Sequence, residues 1–360
     1  MPAIAAGAEP ALAAPPDDPR IAILGAGSIG VYIGAVWAIA GLHVTFIGRP
    51  SIRDEIQANG LTVTDGEGRR IEARPDEVRF STFPKAMAQA DIVALCVKSH
   101  GTAEAAAQIE RHARRDATLV SFQNGVGNVD VLQAALPGRT VLRGMVPFNV
   151  ARLPNGRWHK GVAGSLWVED HAVTRALAAR LGKGPGALRL SDDMKGVAWG
   201  KLLINLNNAV NALSGRTLLD QLSERDYRRI VAASQVEALD LLDKAGISPA
   251  QVGPFPPRLV PHIVAAPDFL FRRTVLKVQK IDAHPRSSMA DDLAAGRPTE
   301  IDHLNGEVVR LARSLGRRAP VNERIVELVR LAEAGVERQW APRELRDHVL
   351  EGRALPGFGY

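Results

Sequence analysis

Residues 20–49 read RIAILGAGSIGVYIGAVWAIAGLHVTFIGR. The run Ile21–Leu24 is apolar without alternation, as in a strand buried on both faces. It breaks into Gly25-x-Gly27-x-x-Gly30, continues as a small-residue helical stretch closed by Gly41, and returns as a second strand in HVTFI. Glycines in this spacing are informative only between a strand and a helix, and that context is present. Gly25 permits a tight turn, Gly27 lets the backbone approach a pyrophosphate, and Gly30 allows close helix–strand packing. Ala26, Ser28 and Ile29 complete a loop whose phosphates would meet the positive end of the helix.

The end of the second strand selects between dinucleotides. An acid there would hold the ribose hydroxyls of NAD, but Gly48 occupies the position and Arg49 follows. A guanidinium grips a 2′-phosphate through two parallel, charge-assisted bonds, so NADP(H) is the expected cofactor. Ser51 and Arg53 either extend that grip or are ordinary surface residues.

Strands and helices keep alternating outward from this unit. ADIVALCVK and ATLVSFQNG read as buried strands around the helical GTAEAAAQIERHA, and shorter strands follow in VLRGMVPFNVA, GRWHKG and AGSLWVE. In an open parallel sheet ligands bind beyond the carboxyl ends of the strands. Lys98 and Asn124, with Gly125, follow two such ends and are expected near the nicotinamide; Lys98 also reads as a solvated strand cap. Beyond about residue 190 only long helical patterns remain. The expected fold is α/β: an N-terminal Rossmann-type doubly wound parallel sheet followed by an all-α C-terminal domain. The expected divisions are a disordered leader (1–19), a cofactor domain (20–190), a helical substrate domain (191–325) and a C-terminal helical extension and tail (326–360). The Pro-rich segment 247–269 reads as a loop with short helices.

Composition excludes several classes. Hydrophobic residues make up 46% and charged residues 23%, an ordinary globular mix. The net charge of +6 is spread along the chain with neither a basic stripe nor interleaved aromatics, which argues against nucleic acid. Cys96 is the only cysteine, so no intrachain disulfide forms, and its apolar strand context marks a packed thiol. The leader lacks a basic n-region and a signal core, and no apolar run reaches the roughly 20 residues of a membrane span. No membrane association and a cytoplasmic location are expected. The histidines show no metal-ligand spacing, so no metal is expected.

In the helical half, WGKLLINLNNAVNALSG carries polar groups on an apolar helix. At 100° per residue Lys201, Asn205 and Asn208 share one stripe, with Asn207 and Asn211 off it. Inward amides and an amine need partners, either a polar substrate or a helix–helix network. RPTEID places Glu300 near a helix start, where Thr299 could cap and Glu300 could simply favour the dipole. Ser288 lies upstream across MADDLAAG, a stretch long enough for a short helix that returns both groups to one place.

The Gly25–Gly30 loop, Arg49, QNGVG, WGKLLIN, SSM and TEID with its following NG occur in the order found in the ketopantoate reductases (2-dehydropantoate 2-reductases), which the chain resembles from about Arg20 to Asn322. The resemblance implies reduction of 2-dehydropantoate to (R)-pantoate with NADPH, in a cleft between a Rossmann and a helical domain. It implies Lys201 as proton donor, Glu300 as the carboxylate orienting the substrate hydroxyl, Asn124 near both ligands and Lys98 near the cofactor. Asn205 and Ser288 match substrate-holding positions. The family's second helix asparagine falls here on Ala209, leaving Asn208 or Asn211 to take its place. The departures leave open a sister reductase acting on another branched or hydroxylated 2-keto acid. An NADPH-binding sensor without turnover is the alternative from another class. The small-molecule keto acid is the expected partner, and a homodimer is compatible with the reading.

Overall fold

A computed structural model describes residues 18–271, 273, 286–336 and 339–350. Residues 1–17 of the expected leader and 351–360 of the expected tail lie outside the described residues. The strand-rich half opens with β1 (Arg20–Leu24), α1 (Ser28–Ile39), β2 (His43–Ile47) and α2 (Pro50–Asn59). It continues through β3 (Leu61–Asp65), β4 (Arg70–Ala73), β5 (Phe80–Ser81), β6 (Ile92–Leu95), α3 (Thr102–His112), β7 (Thr118–Ser121) and α4 (Asn128–Ala135). It closes with β8 (Val141–Met145), β9 (Val150–Leu153), β10 (Arg157–Lys160), β11 (Leu166–Glu169), α5 (Ala172–Leu181) and β12 (Leu188–Ser191).

The main sheet has the order β12-β11-β8-β7-β6-β1-β2-β5. Strands β5 to β8 around β1 are all parallel, Ile23 pairing with Phe46 on one side and Ala94 on the other. Ile21, Ile23, Ala22 and Leu24 are buried, as an unbroken apolar run requires when both faces are covered. One face packs against α1 and Trp37, the other against α3 and α4. The N-terminal half is therefore Rossmann-like, as expected from the opening stretch.

Two features go beyond the pattern. β11 pairs antiparallel with β8 (Trp167 with Met145), so the final two strands run against the rest. The strands around GRWHKG leave the main sheet altogether and build a second one, β4-β3-β10-β9, in which Trp158 pairs with Val63 and is fully buried.

The helical half starts with α6 (Met194–Asn205), α7 (Asn207–Ser214), α8 (Leu218–Ser223) and α9 (Arg225–Lys244). Helices Ser288–Ala294, Asn305–Ser314, Pro320–Glu333 and Pro342–Leu350 complete a core built on Leu206, Tyr227, Ile230, Val308 and Ile325. The Pro-rich segment carries two short helices, Val260–Val264 and Asp268–Phe271. Helix Pro320–Glu333 runs unbroken through residues 325 and 326, so no backbone break marks the division expected there. Among the described residues no helix is long and apolar enough to cross a membrane, and no group of histidine, cysteine and acidic residues could hold a metal.

Candidate active site

The nucleotide loop has the geometry that its glycines predict. Gly25 takes φ +96, and its N–H and that of Ala26 donate to Ile47 O at 3.0 and 2.9 Å, tying the turn to β2. A Cβ on Gly30 would lie 2.4 Å from Gly25 O, and one on Gly34 would lie 2.2 Å from the Phe46 ring. A Cβ on Gly27 would meet nothing within 4 Å. Gly27 also caps α1 without a side chain, leaving the first-turn N–H groups of Ser28, Ile29 and Gly30 facing out. An open approach to an uncapped helix start fits a dinucleotide pyrophosphate. Arg49 is exposed at the start of α2 and makes no ion pair among the described residues, whereas Arg53 is held by Asp54 at 2.6 Å. Arg49 is free to grip an anion; Arg53 is engaged.

Glu300 is 4% exposed and precedes a single helical turn, Ile301–His303. Its role is larger than favouring a dipole. Oε1 accepts from the Ser99 N–H at 3.1 Å and lies 2.8 Å from Ser99 Oγ; Oε2 accepts from Asn124 Nδ2 at 3.0 Å. Lys98 Nζ stands 3.8 Å from Oε2 and 2.9 Å from Asp292 Oδ2. Burial alone would raise this carboxyl's pKa, yet the Lys98 charge and the bonds from Asn124 and Ser99 hold it below the usual range. Thr299 Oγ1 accepts from the Ile301 N–H at 3.2 Å, so the local capping is Thr299's. Lys98, read as either a strand cap or a site residue, faces carboxylates of the other half.

Lys201 reaches the site by a reversal of direction. Ser191 of β12 pairs with Glu169, and β11 runs against β8, so the chain must turn back into α6. Met194 and Val197 then pack with Met145 at the end of β8, and one turn on Lys201 Nζ points to Pro147 O at 3.4 Å. It has no carboxylate partner among the described residues, and burial pushes the ammonium down to about 8.

The polar stripe is interrupted because the helix breaks at Leu206, between α6 and α7. Asn205 is buried and Asn208 half-buried. Asn208 makes no side-chain hydrogen bond among the described residues. Asn211 is fully buried and fully used: Oδ1 accepts from the Ser287 N–H at 2.9 Å and Nδ2 donates to Arg216 O at 3.1 Å. Of the two alternatives, Asn208 alone has an amide to offer. Ser287 caps helix Ser288–Ala294, taking the Ala290 N–H, and the Ser288 hydroxyl makes no hydrogen bond among the described residues.

Sequence reasoning passed over Ser99, Thr102, Asn128 and Asp292. A serine or asparagine at a helix start reads as a cap, and MADDLAAG offers two acids with nothing to distinguish them. The structure distinguishes them: Asp292 is buried against Lys98 and Arg297, while Asp291 makes no ion pair among the described residues.

The family model described as ketopantoate reductase PanE/ApbA matches residues 21–172, and its C-terminal companion matches residues 193–333. The 2-dehydropantoate 2-reductase of Halobacterium salinarum is 29% identical over 321 residues, covering 87% of this chain and 99% of that protein. The crystal structure of a PanE/ApbA family ketopantoate reductase from Ralstonia eutropha superposes with a TM-score of 0.74 at 29% identity, covering 88% and 99%. D-mandelate dehydrogenase with NADH and anilino(oxo)acetate shares the fold, with a TM-score of 0.73 at 20% identity over 88% and 99%.

Proposed function

Given that the chain belongs to the ketopantoate reductase family, we propose that it reduces 2-dehydropantoate to (R)-pantoate with NADPH. The observation that carries this reading is Lys201, an amine on α6 without a counter-charge among the described residues, its proton loosened by burial. The Gly25–Gly30 loop would hold the cofactor's pyrophosphate and Arg49 its 2′-phosphate, and the cofactor would supply a hydride for the C2 ketone. Lys201 stabilises the charge that grows on the ketone oxygen and gives that oxygen its proton, leaving an alcohol. Glu300, ionised, accepts from the substrate hydroxyl. Asn205, Asn208 and Ser288 hold the carboxylate and hydroxyl without adding charge, and Asn124 spans Glu300 and the nicotinamide side. Lys98 offsets the Glu300 charge from the cofactor side. The functional division follows the chain: residues 20–190 bind cofactor, and 191–325 supply the substrate groups.

A second reading keeps the reaction and changes the acid. Ala209 stands where the family has an asparagine, and Asn211 is spent on Ser287 and Arg216, so one amide fewer is available to the substrate. Loss of NADPH near-ultraviolet absorbance, followed with 2-dehydropantoate and a panel of branched and hydroxylated 2-keto acids, decides. Turnover confined to another acid would replace the substrate, and tight NADPH binding with no turnover of any acid would mark a sensor.

A further inference from the structure

A chain of buried polar groups leads from the central sheet to Glu300, and every link in it points one way. Ser121 Oγ, on β7, donates to Gln123 Oε1 at 3.0 Å, and Gln123 Nε2 donates to Thr102 Oγ1 at 2.8 Å. Thr102 Oγ1 lies 2.9 Å from Asn128 Oδ1, Asn128 Nδ2 lies 3.2 Å from Ser99 Oγ, and Ser99 Oγ lies 2.8 Å from Glu300 Oε1. The six residues are 2–8% exposed.

Two hydroxyls each have a choice of acceptor, and their neighbours decide it. Thr102 Oγ1 is also 2.7 Å from Ser99 O, but that carbonyl already receives the Thr102 N–H, while Asn128 Oδ1 has no other donor among the described residues. Ser99 Oγ is also 2.9 Å from Asn124 O, but that carbonyl already receives a hydrogen of Asn128 Nδ2. A carboxylate is the stronger acceptor besides. The Asn124 carbonyl also fixes the Asn128 amide, because the flipped orientation would set two oxygens against each other. Donors aligned head to tail polarise one another toward the terminal anion.

We propose that Ser99 is a positioning residue for the reaction: as the last donor of this relay, it fixes the orientation of the Glu300 carboxylate and keeps it ionised for the substrate hydroxyl. The proposal rests on the reading of Glu300 as the substrate-orienting carboxylate. Among the described residues Lys98 is the one cation facing Glu300, with Asp292 beyond it; His303, Asp302, Glu307 and Arg310 lie on Glu300's own side. Lys98 neutralises the carboxylate but, as a point charge, does not set its plane. Ser99 supplies two directed bonds, and only the hydroxyl one is removable by substitution.

The test uses the full chain carrying carbon-13 in its glutamate carboxyls, the Glu300 signal being the one lost in Glu300→Gln. In Ser99→Ala the Glu300 titration is expected to move upward in pH, and in Ser99→Thr to return. Thr102→Val, two links upstream, is expected to move it in the same direction by less, and it serves if Ser99→Ala does not fold. In turnover with the accepted keto acid, Ser99→Ala lowers kcat by about tenfold, the worth of one bond to a charged group. Its acid limb rises with the titration, and Ser99→Ala adds no further loss to Glu300→Gln. A Glu300 titration unchanged in folded Ser99→Ala and in Thr102→Val overturns the relay. The titration is read without substrate, so a chain inactive on every keto acid would defeat the proposed reaction and leave this result standing.

Discussion

Lys98 Nζ lies 2.9 Å from Asp292 Oδ2, joining the loop after β6 to a helix of the other half. Asp292 in turn holds Arg297 through Oδ1 at 3.0 Å and keeps Lys98 from closing fully onto Glu300, 3.8 Å away. Asp292→Asn should lower stability by about 1–2 kcal/mol, less than a fully buried pair because Lys98 is partly exposed. It should also raise the KM for NADPH as Lys98 leaves the cofactor side. Urea unfolding and initial rates measure both, and unchanged values in both would show Lys98 to be a bystander.

Lys201 carries its ammonium at about 8, well below the usual 10.5. The proton donor is present below about pH 8, so ketone reduction should fall as pH rises through 8, while alcohol oxidation rises over the same window. The unfolded chain keeps this proton up to 10.5, so unfolding between 8 and 10.5 takes one up. The group's contribution to stability therefore grows with pH in that window. Lys201→Met should cut turnover at least about a hundredfold without lowering thermal stability at pH 7. A large fall in stability would mean that the amine has a structural partner.

Gly27 and Gly30 should fail differently. Gly30→Ala puts a methyl against the Gly25 carbonyl and should impair folding. Gly27→Ala meets no atom of the described residues within 4 Å, so the melting midpoint should hold while the NADPH affinity falls. Equal loss of stability in the two variants would count against the loop as a pyrophosphate seat.

Arg49 holds the start of α2 through its backbone carbonyl, which accepts from Ile52 at 3.1 Å, so its side chain can be removed safely. Arg49→Ala should weaken NADPH by about ten- to a hundredfold and leave NADH nearly unchanged. Calorimetry with both cofactors reads the ratio directly. Equal weakening of the two would remove the 2′-phosphate assignment.

Asn208 and Asn211 should separate into substrate and scaffold. Asn211→Ala strands the buried Ser287 N–H and Arg216 carbonyl and should cost about 2–4 kcal/mol. Asn208→Ala should stay within about 0.5 kcal/mol of the parent while raising KM for the keto acid. A normal KM in Asn208→Ala would place the substrate elsewhere.

The parts legible in the sequence were those encoded within one short stretch. Ile21–Leu24, the three glycines and HVTFI specify strand, turn and strand by local pattern, and the main sheet follows from them. The second sheet was not legible, because β3 finds β10 across a long span of chain and each is a short strand with no turn between them. The same holds at the site. Lys201 stood out as a charge on an apolar helix, and Glu300 through the TEID motif that carries the resemblance. Ser99, Thr102 and Asn128 acquire their meaning only when the ends of β6 and β7 come side by side. The stripe on α6 failed at Leu206 because a helical projection assumes an unbroken axis. Asn211 looked eligible until the backbone it holds together was in view.

The two halves meet where side chains are missing. A Cβ on Gly125 would lie 2.6 Å from His303 O, and one on Gly127 would lie 2.8 Å from Glu307 Oε1. At Gly125 the obstacle is backbone, so a methyl there would be a wedge, felt as a change in how far apart the halves stand while their hydrogen-bonding groups all remain; at Gly127 the carboxylate end of Glu307 can swing aside. The width of the seam, and with it the room left for a substrate, thus depends on a carbon atom that the chain does not have at Gly125.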